Sequence, residues 1–181
     1  IKKKVVIAGG GPAGMEAARV AALKGHRVVL FEANRELGGM LRLASVPPHK
    51  EIFKTIAEYY MGELKRLGVE VKFGKLATAE SIMNEKPDVV IIATGGTTLV
   101  PEIPGIDKDT TVTALDILSG KKKAGDEVVV AGGGAVGCEV ANFLAQQTKK
   151  VTIVEMLDTV GLDMDSWIWV CLSAELTERN V

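Results

Sequence analysis

Short apolar runs punctuate this chain and fall into two matching pairs. Val5-Val6-Ile7-Ala8 leads into Gly9-Gly10-Gly11-Pro12-Ala13-Gly14, and Val128-Val129-Val130-Ala131 leads into Gly132-Gly133-Gly134-Ala135-Val136-Gly137. A second apolar run ending in an acid follows each: Val28-Val29-Leu30-Phe31-Glu32 and Val151-Thr152-Ile153-Val154-Glu155. Short runs of this kind, rich in valine and isoleucine, read as strands of a parallel sheet. The first pair predicts strands at 4–9 and 27–32 around a helix at 12–24 that Gly25 stops, with Met15, Ala18, Val20, Ala21 and Leu23 among its apolar positions. A helix followed by a strand at 151–155 is expected after the second glycine turn, and a last helix at about 164–178.

Between the pairs the period changes. Pro47-Pro48 opens a predicted helix at about 50–67, where Phe53, Ile56, Ala57, Tyr60, Leu64 and Leu67 make one apolar stripe that reads as core. Gly68 ends it, and Val69, Val71 and Phe73 alternate with Glu70 and Lys72 as a half-exposed strand. A short helix at 78–85, closed by Pro87, precedes Asp88-Val89-Val90-Ile91-Ile92-Ala93-Thr94-Gly95-Gly96, which reads as a buried strand covered on both faces. Pro101, Pro104 and Gly105 form a connector, and Lys121-Lys122-Lys123 a solvated approach to the second glycine unit.

The spacing within each unit carries chemistry. Gly9 and Gly132 allow a tight turn out of the strand, Gly11 and Gly134 let backbone approach a pyrophosphate, and Gly14 and Gly137 let the helix pack on the strand. The phosphates would sit at a helix N-terminus, where free N–H groups and the helix dipole favour negative charge. Glu32 and Glu155 follow at roughly the 20-residue offset at which an acid meets an adenosine ribose. A carboxylate there accepts from a 2′-hydroxyl and repels a 2′-phosphate, which argues for NAD over NADP at the second unit. One such glycine turn is weak alone, since glycine turns after strands are common; two copies in register, each complete to its acid, point to two dinucleotides and electron transfer between them. The fold class expected is α/β: a Rossmann-like three-layer dinucleotide-binding fold, incomplete in its second unit.

Composition narrows this further. At 181 residues, with 47% hydrophobic and 25% charged residues and a net charge of −1, the chain has room for one or two domains. It carries no general attraction to nucleic acid or anionic membrane. No apolar run is long enough to span a bilayer, so a cytoplasmic location is expected. Cys138 and Cys171 show no metal-type spacing and read as small packed side chains; His26 and His49 stand alone in sequence. Neither a metal site nor a catalytic triad is indicated, and no catalytic acid or base is assigned. The second unit stops after one βαβ portion, and the chain begins at Ile1; both suggest a piece of a larger protein.

The order of the first glycine unit, Leu37-Gly38-Gly39, Ala93-Thr94-Gly95, Pro101-Glu102-Ile103-Pro104-Gly105 and the second glycine unit resembles the two-dinucleotide flavoproteins. The stretches Gly39-Met40-Leu41-Arg42-Leu43-Ala44 to Tyr59-Tyr60 and Leu64 to Val71 are similar to the C-terminal region of the NADH:flavin oxidoreductases, the group of 2,4-dienoyl-CoA reductase, 2-enoate reductase and trimethylamine dehydrogenase. The resemblance implies an FAD-binding domain at 1–110, lacking its C-terminal completing segment, and the first part of an NAD-binding domain at 111–181. It implies FAD contacts from Gly9, Gly11, Pro12, Ala13, Gly14, Glu32, Gly39, Met40, Thr94 and Gly95, with Ala77 near the adenine. For NAD it implies Gly132, Gly134, Ala135, Val136, Gly137 and Glu155, with Met156 beside the adenine. Hydride would pass from NADH to FAD and electrons onward to an activated C=C bond or related substrate in an N-terminal barrel outside this chain, where FMN and an iron–sulfur cluster would reside. The parent would be a homo-oligomer, and the chain alone would be inactive. Disulphide reductases of the superfamily carry a cysteine pair just after the Leu-Gly-Gly turn; Met40-Leu41-Arg42-Leu43-Ala44-Ser45 stands there instead.

Overall fold

A computed structural model describes residues 1–181. The chain divides into two compact units, one of residues 1–45 and 51–97, the other of residues 46–50 and 98–181.

In the first unit the strands β1 (Lys4–Ala8), β2 (Arg27–Glu32), β3 (Glu70–Phe73) and β4 (Val89–Ile92) form a parallel sheet in the order β3-β2-β1-β4. The helices are α1 (Pro12–Leu23), α2 (Met40–Ala44), α3 (Ile52–Arg66) and α4 (Ala79–Asn84). Helix α1 starts at Pro12, whose fixed φ suits a first turn and whose missing N–H costs nothing there. Its Met15, Ala18 and Ala21 pack with Val5, Ile7, Val28, Leu30, Leu37 and Leu64 in one core, while Leu23, expected in the apolar stripe, is exposed. Helix α3 buries Ala57 and Leu64 of its predicted stripe. On the other face of the sheet, Val6, Val29 and Phe31 are buried against Ala77 and Ile82.

Strand β4 departs from expectation. It pairs in parallel with β1 as its sequence suggests, yet Val89, Val90 and Ile92 are exposed. An apolar run reports that a strand belongs under cover, but β4 is one of the two edge strands and has only β1 beside it.

In the second unit β5 (Glu127–Ala131) and β6 (Lys150–Val154) pair in parallel, with α5 (Ala114–Leu118), α6 (Ala135–Ala145) and α7 (Ser166–Glu178). Cys138, Val140, Ala141, Leu144 and Ala145 of α6 pack against Val151 and against Leu172 and Leu176 of α7. Cys138 is buried, as read from sequence, but Cys171 is exposed on α7. His49 is not isolated: its Nε2 lies 3.1 Å from Glu175 Oε1, an acid 126 positions away that no local pattern could supply.

Candidate functional site

The two glycine turns have the same backbone. Gly9 and Gly132 both leave their strands at φ +102°, and the N-cap residues Gly11 and Gly134 share φ −73°, ψ −176°. A Cβ on Gly14 would lie 1.8 Å from Gly9 O, and one on Gly137 1.9 Å from Gly132 O, so each helix rests directly on its turn. These contacts require glycine whatever the site binds.

Around the first turn the chain opens a cleft of about 780 Å³. Gly9, Gly11, Pro12, Ala13, Glu32, Gly39, Met40, Ala77, Thr94 and Gly95 all line it; Gly14 lies beneath, in the core. A Cβ on Gly11 would meet only Gly39 Cα, at 4.0 Å, so the space beside this backbone belongs to the cleft. Gly39 closes the approach from the other side: its Cβ position is 2.9 Å from Gly11 Cα, and it sits at φ +50°. Two bare backbones packed against each other beside the cleft at a helix N-terminus suit a pyrophosphate, which needs N–H donors and no intervening side chain.

Glu32 is buried at the end of β2, 6% exposed. Its Oε2 accepts from Gly10 N at 2.9 Å, while Oε1 accepts from Asn34 N at 2.7 Å and Asn34 Nδ2 at 2.8 Å. A carboxylate has about four acceptor positions, so three donors fix its orientation and leave room for a hydroxyl from the cleft. Asn34, which sequence reasoning missed, is therefore the residue that aims the acid; its place two positions after Glu32 was the available signal. Arg42 lines the cleft as well and pairs with Glu36.

Around the second turn the parts are similar and the space is not. Glu155 Oε2 accepts from Gly133 N at 2.7 Å, and Oε1 accepts from Met156 N at 2.7 Å and Leu157 N at 2.9 Å. The Gly133 N–H, with Leu157 and Met156 behind it, holds this carboxyl below its ordinary pKa against the opposing effect of burial. Val136 and Met156 are exposed. The N–H of Ala135, first in α6, does not face open space: it donates to Asp163 Oδ1 at 2.8 Å. Asp163 was missed, because a contact spanning 28 residues leaves no local pattern. Cys138 donates its thiol to Gly133 O at 3.2 Å, and burial raises its pKa, keeping it a neutral packing group.

A parallel sheet with a glycine turn and a strand-end acid in each of two units defines a dinucleotide-binding α/β protein. The comparisons give it a family: the chain belongs to the pyridine nucleotide-disulphide oxidoreductases, whose model matches residues 3–181. It is 49% identical over 169 residues to NADH oxidase of Thermoanaerobacter brockii, covering 91% of this chain and 26% of that protein. Cinnamate reductase of Clostridium sporogenes is 47% identical over 158 residues, covering 87% of this chain and 24% of that protein. Among solved structures, 2-naphthoyl-CoA reductase superposes with a TM-score of 0.95 at 37% identity, covering 99% of this chain and 27% of its own. The chain thus spans about a quarter of the length of each of these three proteins, all of them named as oxidases or reductases. Neither of its cysteines directly follows the Leu37-Gly38-Gly39 turn, and both are free thiols.

Proposed function

We propose that this chain is the cofactor-binding part of an NADH-dependent flavin oxidoreductase, with FAD on the first unit and NAD(H) on the second. The observation that carries the reading is the repetition: two glycine turns of identical backbone geometry in one chain, each answered by a strand-end glutamate hydrogen-bonded to the turn's second glycine. Hydride and electron transfer are the cofactors' own chemistry, and this chain binds and orients them. Ala13 offers its N–H group to the FAD pyrophosphate at the start of a helix that Gly14 seats against the turn, Gly11 and Gly39 keep side chains out of its path, and Glu32, aimed by Asn34, accepts from the ribose. Gly95, Thr94, Met40, Pro12 and Ala77 shape the remaining walls. On the second unit Gly132, Gly134, Ala135, Val136, Gly137 and Glu155 take the corresponding parts, with Met156 beside the adenine.

Reductases among the relatives support a reduced organic substrate, an activated C=C bond or similar group, bound in a part of the protein other than this chain. That part would carry FMN and an iron–sulfur cluster, the parent would be a homo-oligomer, and the isolated chain would show no turnover. The visible spectrum of the purified parent tests the reading: bound flavin bleached by NADH is the expected result, and a colourless protein retaining ADP would overturn it. At the second unit NADH should bind more tightly than NADPH, by about 1–3 kcal/mol, because Glu155 faces the 2′ position. Equal affinities in a titration would remove Glu155 from that role.

A further inference from the structure

The second glycine turn already holds an anion of its own. Asp163 Oδ1 accepts from Ala135 N, the first N–H of α6, at 2.8 Å, and its two carboxylate oxygens lie 3.1 and 3.3 Å from where a Cβ on Gly134 would stand. Gly134 is thus the residue whose missing side chain makes room for Asp163 as well as for a phosphate.

The contact is built into the loop. Gly161 N donates to Gly133 O at 2.7 Å, Val160 packs where a Cβ on Gly133 would be, and Trp169 fills the space beside Gly161, itself at φ +76°. Asp163 is also free of the duty that usually occupies such a residue, since the N-cap of α7 is Asp165, which accepts from Trp167 N. The first unit provides an internal control. Position 12 there is proline, which has no N–H to offer, so the counterpart of the Ala135 donor does not exist and no acid is needed over it.

We propose that Asp163 is a resident anion of the nucleotide site in the second unit, which an incoming pyrophosphate must displace from Ala135 N or bind beside at an electrostatic cost, so that Asp163 weakens and charge-tunes nucleotide binding there. This rests on the reading of the second unit as the NAD(H) site. A carboxylate and a pyrophosphate compete for the same donors and the same end of the helix dipole. The residue lowers affinity for NADH and leaves affinity for an uncharged nucleoside alone.

The test is calorimetric titration of the flavin-loaded parent protein, wild type and D163N, with NADH, ADP and adenosine at low and high salt. D163N keeps an acceptor for Ala135 N–H and removes the charge. It should bind NADH and ADP more tightly, on the order of tenfold at low salt and less at high salt, with adenosine unchanged. D163S, uncharged and smaller, should give the same gain and stands in if the amide variant fails to fold. NADH affinity that is unchanged or weaker in the uncharged variants overturns the proposal while leaving the NAD(H) assignment standing. If neither wild type nor variant binds NADH or ADP while flavin is retained, the assignment itself falls and the proposal with it.

Discussion

The two glycine turns are nearly superimposable in backbone and unlike in surroundings. In the first unit the turn is pressed from outside by β4: a Cβ on Gly9 would be 2.2 Å from Ala93 O. In the second unit a Cβ on Gly132 would meet nothing within 4 Å. The acids differ in the same sense, Glu32 being buried and Glu155 half-buried. The helix N-termini differ in the opposite sense, the first facing a cleft and the second an aspartate. A motif therefore specifies the turn; the strands and loops that surround it determine which of its atoms are available to a ligand.

Substitution can test where the likeness ends. The largest effect should be shared: G14A and G137A each force a Cβ onto a carbonyl, and each should destabilise its own unit by ~3 kcal/mol or more. Hydrogen exchange read separately over residues 1–45 and 98–181 measures this, and a silent G137A would show that the second turn relaxes where the first does not. A second pair should separate the units. G132A should cost only the strain of a left-handed backbone, about 1–2 kcal/mol, while G9A adds a clash with Ala93 and should cost clearly more. Equal costs would mean that β4 yields readily.

Smaller effects concern the acids. E32Q leaves one of three donors facing an amide N–H₂ in a buried site and should destabilise the first unit by about 1–3 kcal/mol. E155Q should cost the second unit less, since its side chain is nearer to water. The Glu155 carboxyl titrates below its ordinary value of 4.5 because Gly133, Leu157 and Met156 donate to the charged form. Its contribution to folding is therefore complete above 4.5 and is lost as the pH falls through the lowered folded value. Urea melts of the second unit at pH 6 and progressively below pH 4.5 should show this loss in wild type and a flatter profile in E155Q.

The elements that follow a period were legible in the sequence, and the contacts that cross it were not. β2 spans Arg27–Glu32 as its apolar run predicts, and α1, α3 and α7 start and stop within about two residues of the ranges 12–24, 50–67 and 164–178 expected for them. Helix α2 escaped because Gly39 caps it with backbone alone and it is one turn long. Helix α5 had a usable signal, Thr113 three residues before Asp116, whose N–H the threonine hydroxyl accepts. The cleft residues could be named because each belongs to a local motif. Asp163 could not, since its partner is set by how loop 156–165 folds back on Gly133, and neither could the exposure of β4, which depends on what stands beside a strand.

Strand β4 has a practical consequence for anyone who makes this chain by itself. Four consecutive apolar residues lie on a sheet edge with unpaired backbone groups and no charge, proline or bulge to blunt them. Such an edge recruits further strands, so the isolated polypeptide should precipitate through Val89–Ile92 as its concentration rises. A lysine in place of Ile92, which is 78% exposed, should keep it in solution without disturbing the packed interior.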